Sequence, residues 1–518
     1  MIKSFLSENE LEITACQWLE ALGWKVENWE YETFPNLNRE SCSVALLEDR
    51  LEAALKKFNP EMPEISREEA LTALRRPKYD NLTLENERLH DLLTKGVNVT
   101  VRKPDGVYKY EYASVIDFQN PKNNNFLAVR QLWMSEGQHK RRADITLYVN
   151  GMMLGLIELK SPSNDYDIEH AYQQLQTYKA ELPSFLRFNE FLIISDGMIS
   201  RIGSLTANFR RFMNWRLSHQ AKTDETLNNL LEGTCDQKVF LDLISCAIAF
   251  KKDSKETLKI LAGYHQYYAL KKAIPHILEA SQTDQRGGVI WHTQGAGKSL
   301  LMAFLSRALI QQAELKNPTL LILTDRNDLD DQLYQTFCEV QDFLTTTPQQ
   351  AETREDLRHL LNRDNGGIIF STLQKFGLSE SEEKMPLLSE RQNIIVLADE
   401  AHRSQYGLGE KFNAKSGQIK SGLAQNVRNA LPKATFVGFT GTPLEKEDKS
   451  TTGLFGAYLD IYDISQAVLD EVTVPVYYEP HLIPLDLDKD ALEEIREKYD
   501  EVAEDESGKQ VRKSLAKA

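Results

Sequence analysis

Cysteine is scarce: five residues in 518, odd in number, scattered (Cys16, Cys42, Cys235, Cys246, Cys338) and without a C-x-x-C pair. That spacing excludes a disulfide frame and a zinc ribbon, and it fits reduced thiols in a cytoplasmic protein. Long apolar runs are missing too. No stretch approaches the length of a membrane span, and the Met1-Ile-Lys-Ser start lacks the apolar core of a signal peptide, so no membrane partner is expected. Internal repeats and low-complexity tracts are absent, which excludes a solenoid. Positive charge is in deficit, with 61 Lys and Arg against 77 Asp and Glu and a net charge of −16. No global basic field advertises nucleic acid, although local basic grooves can coexist with an acidic remainder. What is present is a 41% hydrophobic chain, enough for two or three domains with proper cores.

The most informative stretch is Ile290-Trp-His292-Thr293-Gln294-Gly295-Ala296-Gly297-Lys298-Ser299. An apolar strand feeds a glycine-bearing turn and then a helix-like Leu300-Leu-Met-Ala-Phe304. Gly295 and Gly297 let backbone N–H groups face a polyphosphate, Lys298 adds a cation near the β- and γ-phosphates, and the Ser299 hydroxyl can ligate Mg²⁺. His292 stands where the general pattern has glycine. A chance turn is the bland alternative, and the downstream order argues against it. Buried-strand patterns recur at Thr319–Thr324, Gly367–Ser371, Ile394–Asp399 and Thr435–Thr440, as a parallel sheet requires. Asp399-Glu400-Ala401-His402 ends one of these strands and Thr440-Gly441-Thr442-Pro443 ends another. Asp399 is placed to hold a metal through water and Glu400 to activate the attacking water. Upstream, Gln266 can present its amide to both edges of an adenine, with a buried amphipathic helix as the alternative.

The amino-terminal part reads differently. Ser7 to Gly23 predicts a helix capped by Ser7 and Glu10, with Glu12 near its apolar face. A helix-borne glutamate is by default a solvated charge. Residues 65 to 130 predict a helical piece at Leu84–Lys95 and short strands, among them Val97–Arg102. Asp144-Ile-Thr-Leu-Tyr-Val-Asn150-Gly151-Met-Met-Leu-Gly-Leu-Ile-Glu158-Leu-Lys160 then predicts a hairpin about Asn150-Gly151. Strict two-residue pairing would set Asp144 opposite Ile157. Setting it opposite Glu158 needs one extra residue, such as a bulge at or near Gly155 or a three-residue loop. Glu158 and Lys160 share a face in either case. Two adjacent carboxylates are costly unless a cation sits between them, and Mg²⁺ is the natural occupant. A solvated Glu-x-Lys strand is the equal alternative at this point. A helix from about Asp167 to Leu182 carries Gln174 and Tyr178 on one face, a strand follows at Glu190–Ser195, and Leu217–Leu258 reads as a helical, charged connector.

Together these pieces resemble known families. Asp144 with Glu158-x-Lys160 matches the PD-(D/E)xK nucleases. Gln266, the His292–Ser299 loop, Asp399–His402 and Thr440–Thr442 resemble motifs Q, I, II and III of superfamily 2 helicases, in order. The combination resembles the R (restriction and motor) subunit of type I restriction-modification enzymes over nearly the whole chain. The resemblance implies an α/β architecture in which a PD-(D/E)xK mixed sheet is followed by a RecA-like parallel α/β domain. The boundaries expected are 1–215 for the nuclease, 216–258 for the connector, 259–470 for the first motor lobe and 471–518 for the entry to a second lobe. It also implies that Gln174 and Tyr178 belong to the nuclease and that Glu12 joins Asp144 and Glu158 as a metal ligand. Ser299 and Asp399 would serve the Mg²⁺ of an ATP site that also uses Gln266, Thr293 to Lys298, His402, Thr440 and Thr442, with Glu400 catalytic. Expected partners are double-stranded DNA and the methyltransferase and specificity subunits, through which S-adenosylmethionine would enter. The chain is expected to be the amino-terminal half of such a subunit. A stand-alone repair nuclease-helicase and a DNA-binding module with silent sites are the rival readings.

Overall fold

The computed structural model describes residues 7–29, 39, 41–102, 106–161, 168–217, 226–325, 327–363, 366–378, 385–401, 411–413, 418–420, 423–442 and 453–475. Helix α1 (Glu8–Ala21) starts at the predicted capping box: Ser7 Oγ accepts the Glu10 amide at 3.3 Å, and Glu10 Oε2 accepts the Ser7 amide at 2.8 Å. It stops where Gly23 takes φ +92°. Its apolar stripe, Leu11, Ala15 and Leu19, is buried.

Strand β1 (Lys25–Asn28) joins a mixed six-stranded sheet with β4 (Phe126–Glu136), β5 (His139–Val149), β6 (Met152–Leu159), β7 (Phe191–Ser195) and β8 (Ser200–Gly203), in that order across the sheet. Between β1 and β4 come α2 (Glu48–Phe58), α3 (Glu64–Arg75), α4 (Leu82–Lys95) and the separate hairpin of β2 (Val97–Arg102) and β3 (Tyr108–Ala113). Helices α5 (Ile168–Glu181) and α6 (Pro183–Leu186) link β6 to β7, which pair in parallel as a crossover of that length allows.

The Asn150-Gly151 turn forms as expected, with both residues at positive φ (51° and 85°). Asn150 is held from both ends of its side chain: Nδ2 donates to the Val115 carbonyl at 2.9 Å and Oδ1 accepts the Asn125 amide at 2.8 Å. Gly151 is required there, since a Cβ would lie 2.2 Å from the Leu47 carbonyl oxygen.

The expected connector over 216–258 needs correction. Helices α7 (Leu227–Cys235) and α8 (Gln237–Cys246) are present, but they lead into an antiparallel hairpin of β9 (Ile248–Lys252) and β10 (Thr257–Leu261). The charged turn, where Asp253 Oδ1 accepts the Lys255 and Glu256 amides at 2.7 and 2.9 Å, obscures the short alternation on either side. The hairpin is not a solvated spacer. Lys259 of β10 is fully buried, and its ammonium meets Glu190 Oε2 at 2.7 Å, the Asn189 carbonyl at 2.7 Å and Asn86 Oδ1 at 2.9 Å.

Helix α9 (Tyr264–Gln282) and β11 (Arg286–His292) open the second sheet, and α10 (Lys298–Ile310) follows the glycine turn. With β12 (Thr319–Thr324), β13 (Gln349–Gln350), β14 (Gly367–Thr372), β15 (Ile394–Ala398), β18 (Thr435–Thr440) and β19 (Tyr458–Tyr462), the sheet has seven strands in the order β13-β14-β12-β15-β18-β11-β19. Every pairing is parallel. Strands β16 (Lys411–Asn413) and β17 (Gln418–Lys420) form a separate hairpin. The four strands expected from buried-strand patterning are all present. The edge strand β19, which sequence patterning missed, pairs with β11. One apolar cluster runs from Leu11 and Trp24 through Phe240, Tyr264 and Phe304 to Tyr462, so one face of each sheet shares a core, while separate clusters about Tyr148 and about Leu321 cover the opposite faces. Among the described residues no helix is long and apolar enough to cross a membrane.

Candidate nuclease and nucleotide sites

The hairpin register settles the geometry of the first site. Near the turn, Val149 pairs with Met152 and Tyr148 with Met153; beyond it, Leu147 pairs with Gly155 and Ile145 with Ile157. Leu154 is therefore the extra residue, a bulge beside Gly155, and the shifted register carries on to Asp144 and Glu158. Asp144 Oδ2 accepts the Leu159 amide at 2.7 Å, and Lys160 Nζ donates to Glu158 Oε1 at 2.9 Å. Both carboxylates are buried. Burial raises the Glu158 carboxyl well above its ordinary range, and the Asp144 charge adds to this. Asp144 is likewise raised by burial, against the pull of Lys160. Burial also works against the Lys160 charge, yet Glu158 and Asp144 hold its pKa above the usual lysine value.

Glu12 is brought to the same place from α1. It is buried, accepts from Gln131 Nε2 at 2.6 Å and lies 2.8 Å from Arg130 Nε. Burial, and next the Asp144 charge, push its pKa up to about 7. Glu8, Glu12 and Asp144 each offer an oxygen within 4.8 Å of the others, and Glu158 Oε2 is buried without a hydrogen-bond partner among the described residues. Hard oxygen donors, mutually raised carboxyls and an orphaned carboxylate oxygen fit a divalent cation of the Mg²⁺ type.

Glu8 was missed by sequence reasoning although a signal existed, because it lies one helical turn before Glu12. Arg130 and Gln131 had no such signal. They sit on β4, where Gln131 takes φ +60°, a left-handed conformation that interrupts the strand opposite Asp144. Gln174 and Tyr178 are brought in by α5. Gln174 Nε2 donates to the Tyr178 hydroxyl at 2.6 Å, and that hydroxyl donates to the Arg142 carbonyl at 3.0 Å, two residues from Asp144. Burial, then the Glu158 charge, hold the Tyr178 phenol protonated.

The second site lies at the carboxyl ends of β11, β15 and β18, where ligands of parallel sheets bind. Gly295 and Gly297 turn at φ +86° and +76°, and Lys298 begins α10. Lys298 Nζ donates to the His292 carbonyl at 3.2 Å, and a Cβ on Gly441 would lie 3.0 Å from that ammonium. The Thr440–Thr442 turn is thus packed on the phosphate loop, tightened by Thr440 Oγ1 donating to the Thr442 carbonyl at 2.8 Å. Thr293 is tied to the edge strand by its amide, 2.9 Å from the Tyr462 carbonyl. His292 is accounted for by that same strand: its Nε2 lies 2.8 Å from Asp460 Oδ2, and both side chains are fully buried. Asp399 and Glu400 follow β15, separated from β11 by β18, with Glu400 at φ +48° and its amide donating to Asp399 Oδ1 at 2.9 Å. His402 lies outside the described residues.

Gln266 differs from expectation. Its Oε1 accepts the Gly263 amide at 2.9 Å and its Nε2 donates to the Gly297 carbonyl at 3.0 Å. Both ends of the amide brace the phosphate loop against the start of α9, so reading an adenine would require these bonds to exchange. Beside it lies a cavity of about 380 Å³ lined by Gln266, Gly295, Ala296 and Gly297 and, from the first sheet's side, by Arg210 and Arg211.

Comparison with known proteins gives two family matches along the chain. Residues 5–211 match the model of the type I restriction enzyme R protein N terminus, and residues 265–511 match that of the SWI2/SNF2 ATPase. The HindI type I restriction enzyme endonuclease subunit of Haemophilus influenzae is 41% identical over 92% of this chain and 46% of its own length. A protein named as the MjaIXP endonuclease subunit of Methanocaldococcus jannaschii is 32% identical over 95% of this chain and 48% of its own. The chain spans about half the length of these curated relatives. A solved fragment whose description names an HsdR subunit of a type I restriction enzyme from Vibrio vulnificus overlaps 66% of this chain and 56% of that one at 17% identity, with a TM-score of 0.26. With an R-protein amino-terminal domain joined to a SWI2/SNF2 ATPase domain, and with such identity along nearly its whole length, the chain belongs to the family of type I restriction enzyme R subunits.

Proposed function

We propose that this chain carries the nuclease centre and the first ATP-binding lobe of a subunit that cleaves double-stranded DNA after ATP-driven translocation, with Mg²⁺ at the Asp144 centre and ATP at the Lys298 loop. The observation that carries this reading is the Leu154 bulge, which sets Asp144 opposite Glu158 with Lys160 beside them and Glu12 and Glu8 closing the cluster. In this reading Asp144, Glu158 and Glu12, with Glu8 as a further donor, would hold Mg²⁺, which when bound would supply Lewis-acid polarisation of the phosphodiester and activation of a water. Lys160, kept charged by Glu158, stabilises negative charge that develops on the phosphate. Tyr178 and Gln174 fix the β5 backbone that carries Asp144.

At the second site Gly295 to Ser299 cradle the phosphates, Ser299 and Asp399 serve Mg²⁺, Glu400 orients the attacking water, and Thr440 and Thr442 couple the loop to β18. His402 joins them by family motif. The methyltransferase and specificity subunits would recognise the DNA site and carry S-adenosylmethionine, and the complex would work in the cytoplasm. The test is plasmid cleavage by the purified chain combined with those subunits, with and without ATP and Mg²⁺. Cleavage dependent on both, and lost in Asp144→Ala, is expected; cleavage that persists in Asp144→Ala overturns the reading.

A further inference from the structure

The cavity beside the phosphate loop is walled by three parts of the chain: Gly295 to Gly297, Leu469 to Val472 after β19, and Arg210 to Met213 after β8 of the first sheet. Its volume of about 380 Å³ suits a small-molecule ligand. Ile260, Leu261 and Leu300 add apolar lining. The charges on the walls are matched except for two. Asp470 Oδ1 lies 2.6 Å from Arg216 Nε, and Glu471 Oε2 lies 2.9 Å from Arg201 Nη2. Arg210 and Arg211 are exposed, and among the described residues neither guanidinium meets an acid. The turn that carries them is fixed from behind. Phe209 and Phe212, on either side of the two arginines, both pack edge-to-face on Tyr172 of α5, with ring centroids 5.5 and 5.4 Å apart, and the Met213 amide donates to the Ile202 carbonyl at 2.9 Å. Two unmatched cations, apolar lining and the N–H groups of a phosphate loop together suit an anion that carries a flat or apolar body.

We propose that this cavity takes the adenosine of the nucleotide whose phosphates lie on the Gly295–Ser299 loop, and that Arg210 and Arg211 hold it from the nuclease side, by guanidinium stacking on the base and by charge on the α-phosphate. Gln266 has both ends of its amide engaged, on Gly263 and Gly297, so in this arrangement the base is left to other groups. Arginine suits that task, because its planar cation stacks on an aromatic ring and also pairs with phosphate oxygens. Occupancy of the cavity then bears on the Phe209–Met213 segment and, through Tyr172, on α5, the helix that carries Gln174 and Tyr178 to the Asp144 centre. The inference rests on the proposed ATP reading and adds the nuclease-side residues that hold the nucleotide.

The test titrates the whole chain by calorimetry with ATP, ADP and inorganic tripolyphosphate, each with Mg²⁺, the last being a probe of the loop alone. Arg210→Gln with Arg211→Gln should weaken ATP and ADP by the same factor, about 10-fold, and leave tripolyphosphate affinity unchanged. Lys298→Ala should weaken ATP and tripolyphosphate alike. Arg210→Lys with Arg211→Lys, which keeps the charge and loses the plane, should recover only part of the loss. ATP should slow amide hydrogen exchange over residues 209–213, and tripolyphosphate should not. Unchanged ATP affinity in the double glutamine variant overturns the proposal. So does an equal loss for ATP and tripolyphosphate, which would make the arginines act on the loop and not on the adenosine. A wild-type chain that binds neither ATP nor tripolyphosphate refutes the nucleotide reading itself, and the proposal with it, so the two failures are distinct.

Discussion

Asp144 Oδ2 accepts the Leu159 amide at 2.7 Å, a bond between adjacent strands that holds the aspartate beside Glu158 and Lys160. This arrangement depends on the single inserted residue Leu154, because without it the hydrogen-bonding partner of every residue beyond the bulge moves by one and the side chains change faces. Asp144→Ala, Glu158→Ala and Lys160→Ala should each lower DNA cleavage by about 10²-fold or more. Nucleotide binding, measured by calorimetry on the same variants, should stay at the wild-type level.

Glu12 titrates at about 7 because it is buried and next to Asp144. A carboxyl whose pKa is raised on folding binds more protons in the folded state than in the unfolded one, so stability falls as pH rises from the unfolded value, near 4.3, through about 7. Without divalent metal the melting temperature should therefore drop across that window. Mg²⁺ should raise it most above pH 7, where the carboxylates are ionised, and little near pH 5. Glu12→Gln should flatten the metal-free profile; an unchanged profile would contradict the burial of Glu12 beside Asp144 as the cause.

Lys298 contacts the His292 carbonyl and lies against Gly441, so it joins the loop, its strand and the Thr440–Thr442 turn. Lys298→Ala should weaken ATP binding in a calorimetric titration. Glu400→Gln should leave affinity nearly unchanged and slow phosphate release by about 10²-fold or more, as expected for a group acting only on the attacking water. Gln266→Ala should loosen the loop even without nucleotide, because it removes the bonds to both Gly263 and Gly297.

Lys259 and Glu190 form a fully buried ion pair, and His90 Nδ1 lies 2.9 Å from the same carboxylate oxygen. Removing one partner leaves an uncompensated charge, so Lys259→Ala should cost about 3–5 kcal/mol in urea unfolding. Lys259→Met with Glu190→Gln should cost much less than Lys259→Ala alone. Equal losses would show that packing, not charge, sets the penalty.

Local patterns alone marked the turns and candidate residues of both sites: the Gly295–Ser299 cradle, the strand-ending Asp399-Glu400 and Thr440–Thr442, the Asn150-Gly151 turn, and the need for one extra residue between Asp144 and Glu158. Glycines at positive φ, alternating or continuous apolar runs and adjacent carboxylates are written in consecutive residues, and the core strands β11, β12, β14, β15 and β18 are apolar enough to be recognised without partners. Tertiary structure decided that Leu154 is the bulge, that Glu12 and Glu8 on α1 meet Asp144, and that Gln131 turns left-handed to hold Glu12. It also decided that His292 is stabilised by Asp460, and that the charged stretch after α8 is a strand pair closed over Lys259. Each of these depends on residues far apart in the chain. Whether such a charge is solvated or buried is set by what packs against it, and that information is absent from any local window of sequence.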